Sequence, residues 1–468
     1  MSSTSSSSSS SSSTTSTPFD AAPNVATDIP GPSTRRTRQF EGPSSSRQRA
    51  MNEALPEPIL EALATQVAID AAHYNGRLAA ASAISILFQV CSTWRDVSHS
   101  DLLWQRLTRR IWRHAQRSRP TWRQEFIYWH RTARNFATGR HSYIIPHLDP
   151  SDHHQGLICR YLALSDTHLA CGYVDGTVRL FDLETRAHVS TFVSAHGHLF
   201  GRFSRSVSGI VIVSNSLTFA RLDGDVYVDV INGPGPSHAH RAVAGDVVNN
   251  GVLVEFTGCG RWWVGLFAGI AGRAFQIWDA NSVERVFVGG LLTDPETVMG
   301  WHMLTELVEP VGRVRVTEGE FVVACTSSRL VSFSLNNPEF LELDLGSNTG
   351  FVVTSLDTSH DAFVVVERSG VGTVRRAGTF ERLSRFRRRG SWVRGLWGCM
   401  NLGYVLTYSA AAPASLLRVW NIEHIEGQLC VELAVRPGEG NSMVANDRHV
   451  AISWNDTSIH LLDFGVQD

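Results

Sequence analysis

A strand–turn–strand pattern recurs seven times between residues 168 and 463, and this repeat restricts the fold more than any other feature of the chain. The clearest copy runs His168–Tyr173, turns at Asp175-Gly176 and returns through Thr177–Asp182. The others pair Leu217–Arg221 with Asp225–Val230, Trp262–Ala268 with Ala274–Asp279, and Phe321–Thr326 with Arg329–Ser334. Ala362–Glu367 with Gly372–Ala377, Tyr404–Tyr408 with Leu416–Asn421, and His449–Trp454 with Ser458–Asp463 complete the set. With 182, 230, 279, 334, 378, 421 and 463 as equivalent ends, the spacings are 48, 49, 55, 44, 43 and 42 residues. Such a unit buries its faces only against neighbouring copies. Radial stacking leaves few open strand edges. Residues 141–468 are therefore expected to form a seven-bladed β-propeller, with an open sandwich array as the alternative. The last copy ends five residues before the end of the sequence, so its fourth strand must come from elsewhere. Tyr143–Leu148 is expected to supply it.

The period and the dipeptides that end the copies fit a WD40-type repeat. Trp278-Asp279 is intact, and Phe181-Asp182, Leu462-Asp463 and Trp420-Asn421 are variants. Asp175 and Asp223 fall in turns, where an Asp side chain accepts bonds from turn amides. Their role is read as structural.

Two regions precede the propeller. Residues 1–50 are rich in Ser, Thr and Pro and almost lack large apolar side chains, so disorder is expected. Arg35, Arg36 and Arg38 in it read either as a nuclear import signal or as ordinary charge in a tail. Residues 51–118 read as a small helical module, and 119–140 as a helical connector. Pro58 suits the first turn of a helix over 59–72, Asn75-Gly76 a break, and 78–90 a second helix. A third helix is expected through Leu107 and Ile111. In the connector, Trp122, Phe126, Trp129 and Ala133 mark one buried face.

Composition excludes several classes. Net charge is −2, which argues against a globally basic nucleic-acid binder. The seven cysteines are scattered without a C-x-x-C pair, which excludes a disulfide scaffold and a Cys-rich zinc module. No apolar stretch is long enough for a membrane helix, and the N-terminus lacks a signal-peptide core. The chain is expected to be intracellular and soluble. None of the 19 histidines forms an H-E-x-x-H motif, and there is no G-x-S-x-G elbow or Walker loop. No enzymatic activity, no metal and no cofactor are expected.

The helical module carries a more specific signal. Leu55-Pro56-Glu57-Pro58-Ile59-Leu60, then Val90-Cys91-x-x-Trp94-Arg95, then Leu103-Trp104 resembles an F-box. The resemblance implies that Leu55, Pro56, Ile59, Leu60, Val90, Cys91 and Trp94 bind a Skp-type adaptor and, through it, a cullin. Trp104 is read as core. The stretch 65–83 is longer than the family pattern. Longer strings, Trp122–Phe136, Phe200–Gly209, Phe256–Gly269 and Phe287–Glu306, are similar to a plant family that joins an F-box to a WD40 propeller. That resemblance implies a nuclear developmental regulator of flower and organ growth. It also implies an SCF-type ligase subunit that sends PEAPOD-type repressor complexes to the proteasome. A transcriptional corepressor scaffold without ligase activity is the alternative. Direct nucleic-acid binding is not expected, since no recognition helix is evident.

Arginine dominates the propeller's loops. Nine Arg face one acid, Glu381, between residues 368 and 394. Guanidinium forks suit carboxylates and phosphates, so Arg202, Arg205, Arg368, Arg387, Arg388, Arg389 and Arg394 are the candidate substrate contacts, with an acidic or phosphorylated segment as ligand. Arg202 and Arg205 also fit a blade-to-blade tie. All 42 basic residues of the chain are Arg and none is Lys. Codon bias is one reading of this. A receptor held beside activated ubiquitin would also gain from lacking acceptor amines.

Overall fold

The computed structural model describes residues 56–146, 158–194, 203–231, 238–290, 313–326, 329–338, 343–344, 353–388, 396–410, 415–455 and 457–467. The expected tail over 1–50 lies outside these residues, as does Leu55.

Five helices come first: α1 (Glu57–Asn75), α2 (Arg77–Leu87), α3 (Ser92–Val97), α4 (Asp101–Leu107) and α5 (Trp122–Thr138). Pro58 stands in the first turn of α1, where its missing N–H costs nothing. Gly76 separates α1 from α2 at φ +84°, left-handed backbone that favours glycine. Helix α4 continues into a wide π turn over Thr108–Trp112. Thr121 caps α5, its hydroxyl accepting from Gln124 N. Leu60, Ala64, Ile84, Leu103, Trp104, Trp112 and Phe126 form one apolar core. Trp104 is indeed interior, its indole N–H donating to Ser98 O at 2.7 Å.

The rest is a ring of seven four-stranded antiparallel blades, the first two joined into one eight-stranded sheet where Val193 and Ser194 pair in parallel with His238 and Ala239. Strand β1 (Ser142–Ile144) stands before blade 1, which is β2 (Cys159–Leu164), β3 (His168–Tyr173), β4 (Val178–Asp182) and β5 (His188–Ser194). Blade 2 is β6 (Val207–Val213), β7 (Ser216–Arg221), β8 (Val226–Val230) and β9 (His238–Val243). Blade 3 is β10 (Val252–Gly258), β11 (Trp262–Ala268), β12 (Phe275–Asp279) and β13 (Arg285–Gly289). Blade 4 is β14 (Arg313–Val316), β15 (Phe321–Cys325), β16 (Leu330–Ser334) and β17 (Leu343–Asp344). Blade 5 is β18 (Val353–Ser359), β19 (Ala362–Glu367), β20 (Val371–Arg376) and β21 (Arg382–Arg387). Blade 6 is β22 (Leu396–Met400), β23 (Tyr404–Ser409), β24 (Ser415–Asn421) and β25 (Gln428–Val435). Blade 7 is β26 (Gly440–Ala445), β27 (His449–Trp454) and β28 (Ile459–Asp463). Its fourth strand is β1, with Ser142 opposite Asp463 and Ile144 opposite Leu461. The ring is thus closed by the segment expected from the sequence, in a shorter strand.

All seven predicted hairpins are the second and third strands of their blades. They read clearly because both faces are buried against neighbouring blades, giving runs such as the fully buried Trp262–Ala268. Blade contact is close. A Cβ on Gly209 would fall 1.8 Å from Phe256 O of the next blade, so only glycine fits there. The turn aspartates are structural as read: Asp175 Oδ1 accepts from Thr177 N at 2.9 Å and from the Thr177 hydroxyl at 2.7 Å. Asp279 Oδ1 accepts from Asn281 N and Ser282 N at 2.9 and 3.1 Å, which bends the turn after the Trp-Asp pair.

Candidate functional site

Antiparallel strands send the first and third turns of every blade to one face of the ring. The second turns and the links between blades reach the other. The helices sit on the first face. Arg77 N donates to both oxygens of Glu423 at 3.2 and 3.1 Å, and its guanidinium bonds Leu402 O. Tyr404 donates its hydroxyl to Ala133 O at 2.8 Å. Asn135 Nδ2 donates to Phe464 O and Val466 O at 2.8 and 3.0 Å. Phe136 stacks on Phe464 at 3.9 Å between ring centroids. Helix α5 therefore shares its N-terminal half with the helical core and its C-terminal half with blades 6 and 7.

With the propeller seated, part of the helical module stays apolar and open. Ile59, Leu63 and Val67, four residues apart on α1, are 46%, 46% and 41% exposed. Ile86, Val90 and Leu102 are also exposed. An exposed apolar stripe such as the one along α1 marks an interaction surface. Of the residues picked from the sequence, Pro56, Ile59 and Val90 are exposed, and Cys91 and Trp94 are half-buried. Leu60 is corrected: it is 2% exposed and faces the helical core, so it supports the surface from beneath. Leu63, Val67, Ile86 and Leu102 were missed, because the motif draws attention to its ends while the surface follows the helical spacing between them. Beneath it, buried Glu61 accepts from the Ser100 hydroxyl and lies 3.6 Å from Arg106, tying α1 to α4.

The candidate arginines lie toward the opposite face. Arg368 is in the second turn of blade 5 and is exposed, as is Arg387 at the end of β21. Arg388 is half-buried, and its N–H donates to Gly370 O at 2.9 Å. These three come together at one corner of blade 5. Arg205 does not join them. It sits half-buried in the link from blade 1 to blade 2, where its carbonyl would lie 2.7 Å from a Cβ on Gly176. Arg202, Arg389 and Arg394 lie outside the described residues.

A further polar group lies on the first strands, which sequence reading passed over in favour of loops. Arg315 Nη1 bonds Glu255 Oε1 at 2.5 Å, and its Nε is 3.6 Å from Asp357 Oδ1. Glu255 Oε2 also accepts from Val314 N at 2.6 Å, and Asp357 Oδ2 from Met400 N at 2.9 Å. Burial pushes the Asp357 carboxyl up against the pull of Arg315, and pushes the Tyr161 hydroxyl up to about 12. The Arg313 guanidinium stacks 4.4 Å from the Trp397 ring centroid. These contacts tie blades 3, 4, 5 and 6 together and serve the ring itself. Among the described residues there is no cluster of three His, Cys, Asp or Glu placed to hold a metal, and no helix is long and apolar enough to cross a membrane.

A closed seven-bladed ring with a helical module seated on one face defines a WD40-type propeller protein. No family model matches the chain. It is 49% identical over 435 residues to the transcriptional regulator STERILE APETALA of Arabidopsis thaliana, spanning 91% of this chain and 96% of that protein. The chain belongs to the STERILE APETALA family. Similar solved structures include U3-55K, at 12% identity over 69% of this chain and 98% of that one with a TM-score of 0.49. The RRP9 WD40 repeats match at 12% identity over 69% and 97%, with a TM-score of 0.48.

Proposed function

We propose that the chain is the non-catalytic substrate receptor of an SCF-type cullin-RING ubiquitin ligase acting in the nucleus. In this reading the helical module binds a Skp-type adaptor and so a cullin. The propeller presents repressor complexes of PEAPOD type for degradation, and flower and organ growth follow. The observation that carries the reading is the apolar surface around Ile59, Leu63 and Val67, left open while the same module is fixed to the propeller. A receptor needs such a handle turned away from its client.

The test is capture of a purified Skp-type adaptor by the full chain. Ile59→Asp with Val90→Asp adds charge to exposed positions and leaves the core untouched. Capture should fall at least about tenfold, since a buried charge at an interface is costly. Undiminished capture, or no capture by the unaltered chain, would sink the ligase reading. The name of the Arabidopsis relative favours a second one, a transcriptional scaffold using the same propeller without a ligase. Normal developmental function from the double variant would favour that scaffold.

A further inference from the structure

The outer half of blade 5 sets like charges against each other. In the pairing of β20 with β21, Arg375 stands directly opposite Arg382, an arrangement that destabilises a sheet. Arg375 finds partial relief by donating to Phe380 O at 3.0 Å. A second conflict lies at the seam with blade 6. Arg388 and Arg418 share one nearby carboxylate, Glu432, and Arg418 already holds it at 2.6 Å. Arg388 Nε is buried and has no hydrogen-bond partner among the described residues. Burial, and then Arg418, pulls the pKa of Arg388 down. Between these two points Arg382, Arg385 and Arg387 are exposed, and none forms an ion pair among the described residues.

The acids nearby do not restore balance. Glu381 is taken by Arg376 at 3.2 Å, Glu367 accepts from the Ser369 hydroxyl and draws on Arg375 from the other side of the turn, and Glu426 sits in a parallel backbone bridge with Arg385. Residues 368–388 hold seven Arg and one acid in a chain whose net charge is −2. A fold that keeps unrelieved positive charge in one place, at a cost to its own sheet, has a use for an external anion there.

We propose that the outer edge of blade 5, through Arg382, Arg385, Arg387 and Arg388, docks an extended acidic segment of a partner protein. Arg385 and Arg387 project to the same side two residues apart, about 7 Å along the strand, which is also the repeat of alternate side chains in an extended peptide. Binding to a nucleic acid draws on phosphates along a longer track, whereas this surplus is confined to one blade. Carboxylate and phosphate oxygens both fit the guanidinium fork, so acidic residues and phosphoserines are the two sources to separate.

The experiment measures binding of the full chain to three fluorescent probes: a twelve-residue Glu-rich peptide, the same backbone carrying phosphoserines, and a twelve-nucleotide single strand. One or both peptides should bind more tightly than the strand, and the tighter peptide names the source. R382E/R385E/R387E should weaken peptide binding about thirty-fold, roughly threefold per surface contact. R382E alone should raise the melting temperature by removing the charge that faces Arg375. Failure of both peptides to bind, a variant that binds equally well, tighter binding of the oligonucleotide, or a lowered melting temperature for R382E would each overturn the proposal. No adaptor is present in this assay, so its failure is distinct from failure of the ligase reading.

Discussion

His449 carries a pH response in one side chain. It is 0% exposed as a residue, and its Nε2 lies 3.7 Å from Asp463 Oδ1. Burial pushes its pKa down to about 4 despite that carboxylate. The unfolded chain takes up the proton near pH 6.5, so the stability this group contributes is complete above that pH. It is lost as pH falls through 6.5 toward 4, to a total of about 3 kcal/mol. Asp463 works in the same direction at lower pH, since bonds from Arg448 outweigh its burial and hold it below its usual value. Denaturant midpoints at pH 7 and pH 4.5 should differ, and His449→Gln should shrink the difference. An equal pH dependence in the variant would show that other groups set it. Nothing in the sequence distinguished this histidine from the other 18; its value comes from β27 and β28 placing it inside the ring.

At the scale of elements, α5 joins the two halves of the structure. Asn135 supplies both of its amide hydrogens to the chain after β28. Asn135→Ala leaves two carbonyls without donors and should cost about 2 kcal/mol. Limited proteolysis should then cut faster between α5 and β1; an unchanged cleavage rate would mean that Phe136 and Tyr404 hold the seat without it. The helix itself was readable from Trp122, Phe126, Trp129 and Ala133, whose spacing marks the core face. Its second partner was not, because Asn135 and Phe136 look like any helical residues until blades 6 and 7 are placed beside them. The same limit applies in blade 5. The run of arginines was plain in the sequence, but the opposition of Arg375 to Arg382 depends on strand register, which a bulge between Val374 and Arg375 shifts.

For the whole molecule, the absence of lysine gains meaning under the receptor reading. Arg110, Arg134 and Arg186 are exposed and spread over the helical module and the ring. Changing all three to Lys keeps the charge and adds amines that ubiquitin can reach. Under the ligase reading the triple variant should turn over faster in cells, and the Ile59→Asp, Val90→Asp background should cancel the change. An equal half-life would return the lysine gap to codon usage. The number of blades was legible from repeat spacing, and the closing segment from the missing fourth strand of the last copy. The orientation of the helical module was not, since it depends on contacts such as Arg77 with Glu423 between residues far apart in the chain.

Strand β1 has a consequence for how the protein is made. Synthesis runs from the N-terminus, so the helices and β1 leave the ribosome before any blade exists. Their partners, Tyr404, Phe464 and β28, emerge only after the first five blades. Through most of translation the helical module has no seat and the closing strand no edge to join. A chain cut short before blade 7 would therefore keep its apolar helices but hold them loosely. Docking of the module reports that the ring has been finished, and only a complete chain presents its helical surface in fixed register with the propeller.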